Sequence, residues 1–197
     1  MSRRSWASLS NFSEGLYFRI WRFLFGRSFA YLGTGTRMVY PDIVKREAQI
    51  SIGDDVYIGR KSWLQVLDDD PNGILKVGSG TYIGRHIHVV SHTNVTVEAN
   101  VLIADNVYLA DNTHDYQDTS VPIMKAGVRS LAPVTIGEGA WLGENVCVVG
   151  ASVGQHSVIG ANSTVIHDIP GFAVAAGSPA KVIKLFNSES GEWELVK

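Results

Sequence analysis

Aliphatic residues return every six positions along most of this chain. Between residues 52 and 169 an aliphatic side chain at position i is most often followed by a small residue at i+1 and by a small or β-branched residue at i+4. The register reads Ile52-Gly53…Val56, Ile58-Gly59…Ser62, Val77-Gly78…Thr81, Ile83-Gly84…Ile87, Val89…Thr93, Val97…Val101, Ile103-Ala104…Val107, Leu109-Ala110…Thr113, Ile136-Gly137…Ala140, Leu142-Gly143…Val146, Val148…Ser152, Val153-Gly154…Ser157 and Ile159-Gly160…Ser163. A fixed short period of this kind predicts a β-solenoid. Each hexad is one short strand plus a corner. Residue i points into a narrow prism and i+4 fills the corner space. The small i+1 residue is expected to suit a sharp turn, where glycine tolerates φ values that other residues cannot. Three hexads close one triangular coil, and successive coils pair edge to edge at roughly 4.8 Å, a quasi-one-dimensional stack. Strands of a sandwich would instead show alternating runs separated by turns every 8–12 residues or so, and that pattern is missing.

The hexads divide the chain. Residues 1–47 read as an N-terminal arm or cap, residues 48–186 as the solenoid, and residues 187–197 as a short tail. Within the arm, Asn11 to Arg27 forms an amphipathic pattern dense in aromatic and aliphatic residues, with Arg19, Arg22 and Arg27 between them. Ser10 or Ser13 is placed to cap this helix and Gly26 to end it. Such a helix either covers the open bottom of the solenoid, as terminal repeats require, or lies in a membrane interface. Two stretches break the period: residues 65–76 as an insertion or turn, and Asp115 to Pro133, which carries two prolines and no hexad. A solenoid accommodates the second only as a projecting loop, and insertions on one face of a repeat array are often functional.

Composition narrows the function. A chain of 197 residues with net charge −2 and pI near 6.3 lacks the basic stripe of a nucleic-acid binder. Its single cysteine, Cys147, forms no intramolecular disulfide, fits a reducing compartment and reads as a packing residue. No segment reaches the roughly 18–20 consecutive apolar residues of a membrane span, and no signal-peptide pattern opens the chain. The expected location is cytoplasmic, with peripheral contact at the inner membrane face as the role of the arm if it touches lipid.

His114 is the side chain best placed for chemistry, at the end of its hexad and directly before the projecting loop. Counting hexads from 89, 97, 103 and 109 places Asn94 beneath His114 and His92 beneath Asn112. The result is a polar cluster of His92, Asn94, Asn112, His114 and Asp115, with Asp118 and Arg129 in reach on the loop. Histidine titrates near neutrality and is the usual general base, and Asp115 is a candidate to fix its tautomer. His86, His88 and His92 raise the question of a zinc site, but their hexad positions put them on two faces, so no metal is expected within one subunit.

These residues resemble the hexapeptide-repeat acyltransferases, the left-handed parallel β-helix superfamily. The branch most similar contains maltose, galactoside and nodulation-factor O-acetyltransferases and bacterial polysaccharide O-acetyltransferases. The hexads, Asn112-Thr113-His114-Asp115 before a loop, and the closing run Val165 to Pro170 and Ala176-Gly177-Ser178-Pro179-Ala180-Lys181-Val182-Ile183-Lys184 carry the resemblance. It implies an all-β left-handed solenoid that assembles as a homotrimer with active sites between subunits. It also implies acetyl-CoA as co-substrate without a metal, and transfer to a sugar hydroxyl of a capsule, O-antigen or exopolysaccharide precursor. His114 would be the general base. His92, Asn94, Asn112 and Asp115 would meet the acceptor. Gly143 and the backbone at Glu144 would line the thioester and Ala161 the pantetheine arm, while Lys181 and Lys184 would meet the CoA phosphates. His167 stands where relatives often carry lysine, and Asp115-Tyr116 replaces a more usual Pro and aliphatic pair. A γ-type carbonic anhydrase on the same fold and a catalytically inactive scaffold are the alternatives.

Overall fold

The computed structural model describes residues 6–68 and 70–196. Residues 1–5, Asp69 and Lys197 belong to the predicted arm, insertion and tail, and lie outside the described residues.

The chain winds through three parallel sheets in strict rotation. One face is built from Tyr31–Leu32, Ile50–Ile52, Ile74–Val77, Asn94–Val97 and Val134–Ile136. Val153 and Ile169 continue it through parallel bridges. The second face stacks Arg37–Met38, Tyr57–Ile58, Tyr82–Ile83, Leu102–Ile103, Trp141–Leu142, Val158–Ile159 and Ala173–Gly177. The third stacks Ile43–Lys45, Trp63–Val66, His88–Ser91, Tyr108–Ala110, Cys147–Val149 and Thr164–Val165. This is a parallel β-helix. Each face contributes one aliphatic column to the interior: on the second face Ile58, Ile83, Ile103, Leu142, Ile159 and Ala175 lie in register and are fully buried. Isolated strands of two to five residues would not be stable. Their stability comes from this continuous stack, each buried Ile or Leu contributing about 1.5–3 kcal/mol.

The corners work differently from the expectation. Positive φ sits at i+3 of the hexads, in Asp55, Lys61, Gly80, His86, Asn100, Asn106, Gly139, Asn145, His156, Asn162 and Phe172. The i+1 glycines are required for another reason, the close approach of the next coil. A Cβ on Gly154 would lie 2.2 Å from the Gly171 nitrogen, and one on Gly53 would lie 2.6 Å from the Ser79 nitrogen.

The winding begins earlier than residue 48, since Tyr31, Arg37 and Ile43 already pair with the coil above. Leu32-Gly33…Thr36, Met38 and Val44 carry the same six-residue spacing into this coil. In the break at residues 65–76, both flanking strands belong to the ladders and only residues 67–73 are additional. Arg46 Nη1 donates to the Asp70 carbonyl at 3.1 Å, and Gln49 Nε2 to the Pro71 and Gly73 carbonyls at 2.7 and 2.8 Å. At the other end Ala173–Gly177 turns back into Ala180–Asn187, which pairs antiparallel with Glu192–Leu195 in the predicted tail.

The N-terminal helix runs from Trp6 to Phe25 and ends in a 3₁₀ turn, Gly26–Ser28. It starts before Asn11, so Ser10 and Ser13 lie inside it. Phe18 is buried in the core cluster, with Tyr17 and Trp21 packed against it. Arg22 donates from Nη1 to the Gly33 carbonyl at 2.7 Å and from Nη2 to the Leu32 carbonyl at 2.9 Å. One face of the helix thus lies against the first coil.

Candidate active site

The projecting segment is anchored by a β-hairpin. After Ala110 the chain leaves the third face, runs through Asn112–His114, and returns antiparallel as Val128–Ser130. It rejoins the first face with Val134 over Val95. A one-turn helix, Ile123–Ala126, sits near the tip. Asn112 lies opposite Ser130 and His114 opposite Val128. Directly opposed residues, and those two apart along a strand, share a face. One face of the hairpin therefore carries Asn112, His114, Val128 and Ser130, and the other Thr113 and Arg129.

This arrangement corrects the stacking expected from hexad counting. Asn94 does not lie beneath His114, because the chain departs at Asp111 and the strand over residues 94–97 is Val134–Ile136. The Asn94 side chain instead accepts from Thr96 Oγ1 at 2.8 Å. His92 does meet the hairpin: its Nδ1 shares a hydrogen bond of 2.7 Å with the Ser130 hydroxyl. Asn112, nearly fully buried, donates to the Val90 carbonyl at 3.0 Å. His114 is exposed, two positions along the same hairpin face. The Asp115 carboxylate is turned to the Gln117 N–H at 2.9 Å, a local turn contact. Asp118 likewise accepts from the Ser120 N–H and hydroxyl. Arg129 stacks over Tyr116 at 5.4 Å.

Sequence reasoning missed Asp111, which holds the root of the hairpin. Its buried carboxylate accepts from the His92 N–H at 2.6 Å, the Thr93 N–H at 2.7 Å, the Thr93 hydroxyl at 2.8 Å and the Asn94 N–H at 2.7 Å. Asn112 Nδ2 adds a fifth contact at 3.2 Å. The Asp111 carbonyl also accepts from the Leu131 N–H at 2.8 Å, joining the two ends of the projection. Burial pushes the carboxyl up, but these donors outweigh it and hold the acid below its usual range. The available signal was an acidic residue at the third position of the last hexad before the projecting loop.

The residues singled out for the cofactor, His167 apart, gather at a different corner. Leu142 pairs with Ile159, and Ile159 with Ala175. The small residues that follow them, Gly143, Gly160 and Ala176, therefore form a column between the second and third faces. Ala161 packs on it, its nitrogen 2.7 Å from where a Cβ on Gly143 would sit. The Glu144 carbonyl accepts from the Asn162 N–H at 2.8 Å. Lys181 pairs with Ala176 at the top of this column, and Lys184 lies beside Val174 in the same strand. His167 is exposed in the last coil, after the third-face strand Thr164–Val165. Within one chain the whole third face separates this corner from the hairpin: Asp105 and Asp111 are six residues apart, at most about 20 Å of extended chain.

His86 occupies a left-handed corner, while His88 is sandwiched between Trp63 and Tyr108 with centroids 4.4 and 5.1 Å away. With His92 at the hairpin, the three imidazoles do not converge. Among the described residues no group of three or more His, Cys, Asp or Glu side chains is close enough to share a metal ion. Cys147 lies half-buried on the third face, its thiol pushed up by burial.

Comparison with known proteins places this geometry in context. The family model described as the hexapeptide repeat of succinyl-transferase matches residues 133–166. A Mycobacterium tuberculosis protein named "Probable acetyltransferase" is 31% identical over 176 residues, covering 85% of this chain and 56% of its own, so the chain spans about half the length of that relative. The Escherichia coli protein named "Putative lipopolysaccharide biosynthesis O-acetyl transferase WbbJ" is 32% identical over 162 residues, covering 79% of this chain and 81% of its own. Among solved structures, a galactoside acetyltransferase in complex with coenzyme A superposes with a TM-score of 0.59 at 32% identity, over 71% of this chain and 66% of that one.

Proposed function

The chain belongs to the hexapeptide-repeat acetyltransferases, and from that premise we propose that it moves an acetyl group from acetyl-CoA to a hydroxyl of a sugar in a bacterial surface-polysaccharide precursor. One observation carries the reading: a hairpin rooted by Asp111 presents His114, Asn112 and Ser130 on a single face, with His92 bonded to it from the coil below. The lipopolysaccharide relative supports the acceptor class, and the coenzyme A complex of the galactoside enzyme supports the donor.

In this mechanism the His114 imidazole takes the proton from the acceptor hydroxyl as its oxygen attacks the thioester carbonyl. A new C–O bond forms and the carbonyl electrons move onto oxygen. When the tetrahedral species collapses, the C–S bond breaks and the CoA thiolate recovers the proton from the imidazolium. Positioned general bases contribute about 10²–10⁴-fold. His92 and Asn112 support the acceptor side, Asp115 follows His114 on the projection, and Asn94 contributes only through its N–H on Asp111. Gly143, Glu144 and Ala161 line the thioester arm, and Lys181 and Lys184 meet the CoA phosphates, while His167 lies at the hairpin's corner instead. Because hairpin and column occupy different corners, the site is completed between copies of the chain. We therefore assign a homotrimer of left-handed solenoids working on the cytoplasmic side, where acetyl-CoA is made.

The test is transfer from acetyl-CoA to a panel of sugars and sugar nucleotides, comparing the native protein with His114→Ala and His114→Gln. Loss of about 10²–10⁴-fold in kcat with unchanged acetyl-CoA binding is expected. Turnover that survives both substitutions overturns the role of His114. A protein that acetyl-CoA neither binds nor stabilises against heat overturns the activity itself and favours an inactive scaffold.

A further inference from the structure

The N-terminal helix carries a broader apolar surface than the protein covers. Toward the first coil it buries Phe18 and packs Tyr17 and Trp21. On the adjoining face Leu16, Ile20, Phe23 and Leu24 are all at least half exposed, with Phe23 at 86%. Their spacing, i, i+4, i+7 and i+8, makes a single stripe along the helix. Contiguous exposed apolar surface marks an interaction site more often than chance.

Charge identifies the occupant. Arg19 borders the stripe, Arg27 follows its C-terminal end, and Arg22 and Arg37 line the clefts beside it with Arg19. Between Ser13 and Ser28 the single carboxylate is Glu14, which is paired with Arg60. A cleft of about 520 Å³ opens beside the stripe, lined by Arg19, Arg22, Phe23, Gly26, Arg27 and Leu32, with no acidic residue in its wall. An exposed apolar ridge flanked by guanidinium groups matches the water–lipid boundary of an anionic bilayer, where acyl chains receive the ridge and phosphates meet the arginines. None of the helices among the described residues is long and apolar enough to cross a membrane, so the contact is in the interface plane. We infer that this helix docks the protein onto an anionic lipid surface through Leu16, Ile20, Phe23 and Leu24, with Arg19 and Arg27 reading the headgroups. This goes beyond acetyl transfer and does not depend on it.

The experiment is co-sedimentation of the full chain with phosphatidylcholine vesicles, with and without about 30% phosphatidylglycerol. Each basic residue at the surface is expected to strengthen binding roughly fivefold. The anionic vesicles should therefore bind at least tenfold more tightly, and the advantage should shrink as salt rises from about 0.05 to 0.5 M. Phe23→Ser with Leu24→Ser should weaken binding tenfold or more, and Arg19→Glu with Arg27→Glu should remove the preference for anionic vesicles. None of these four side chains is in the core, so melting temperature and acetyl transfer to a soluble sugar should stay at native values. Equal binding to both vesicle types, or native binding by both double variants, overturns the inference. So does a fall in the oligomeric mass of the Ser variant, which would make the stripe a contact between copies of the chain. A protein without transferase activity still yields the vesicle result, so failure of the catalytic reading is distinguishable.

Discussion

Replacing Asp111 with asparagine removes negative charge and half of the accepting capacity while barely changing shape. In the native protein one carboxylate oxygen takes the Thr93 N–H, the Thr93 hydroxyl and the Asn94 N–H, and the other takes the His92 N–H and the Asn112 amide. An asparagine can keep the first set on its carbonyl oxygen, but its NH₂ then faces two donors it cannot satisfy. Hydrogen bonds to a charged group are worth about 1.5–3 kcal/mol each, and buried unpaired donors cost a similar amount. Relief from burying a charge offsets part of this. A net loss of about 3 kcal/mol follows, equivalent to a fall in Tm of about 6–12 °C for a domain of this size. The assay is thermal unfolding of both proteins at equal concentration, with acetyl transfer measured well below the lower Tm. Asp111 also roots the hairpin that presents His114, so kcat should fall while the acetyl-CoA KM stays near native. The acid side gives an internal check. The folded carboxyl titrates below its ordinary value of about 3.8, so its contribution is present above that pH and is lost as pH falls through the folded value. The gap between the two proteins should therefore close in acid below about pH 4. A Tm within about 2 °C of native at neutral pH, with unchanged kcat, would refute the role given to this carboxylate.

Three further outcomes are expected. Gly154→Ala pushes a methyl to 2.2 Å from the Gly171 nitrogen, whereas Gly160→Ala meets nothing nearer than the Ala176 methyl at 3.1 Å. Denaturant titration should show a cost above about 2 kcal/mol for the first and below about 1 for the second, and equal costs would contradict close coil approach as the reason for these glycines. His88 Nε2 is buried without a hydrogen-bond partner among the described residues, and burial holds its pKa below the usual histidine value. The unfolded chain then binds more protons below about pH 6.5, so native stability should decline as pH drops from there toward the folded value. His88→Phe should flatten that slope, and an unaltered Tm-against-pH curve would count against it. Lys181→Ala with Lys184→Ala should raise the acetyl-CoA KM about tenfold with little change in kcat. Acetyl-pantetheine, which lacks the adenosine phosphates, should be handled equally by both proteins; a matching KM rise for it would remove these lysines from phosphate binding.

The six-residue period was legible because it is local. A strand of two residues, a corner and a small i+1 position repeat within one short window, and the inward column they create follows from counting alone. The same counting located the loop and the histidine at its start, because a failed period and a proline-bearing run are visible without any coordinates. It could not say why Gly53 or Gly154 must be small. That reason is the backbone of the next coil, some 17–26 residues away in the chain (Gly171, Ser79), and the separation varies with each corner. The period itself reaches the first coil, where Leu32-Gly33…Thr36, Met38 and Val44 keep the six-residue spacing and pair with Ile52, Ile58 and Leu64.

Residue order alone therefore determined the solenoid, its interior and the segment that must project, since all three rest on short-range pattern and on the need to bury apolar side chains. Only the folded molecule decided which groups meet at the projection. Departure of the chain at Asp111 replaced a parallel stack of Asn94 under His114 with an antiparallel hairpin, which aligned His114 with Ser130 and brought His92 to it. It also put the small-residue column and Lys181 at another corner. Pairings of that kind are set by where distant strands join and by which buried carboxylate can satisfy their ends, and neither is written in any local window of sequence.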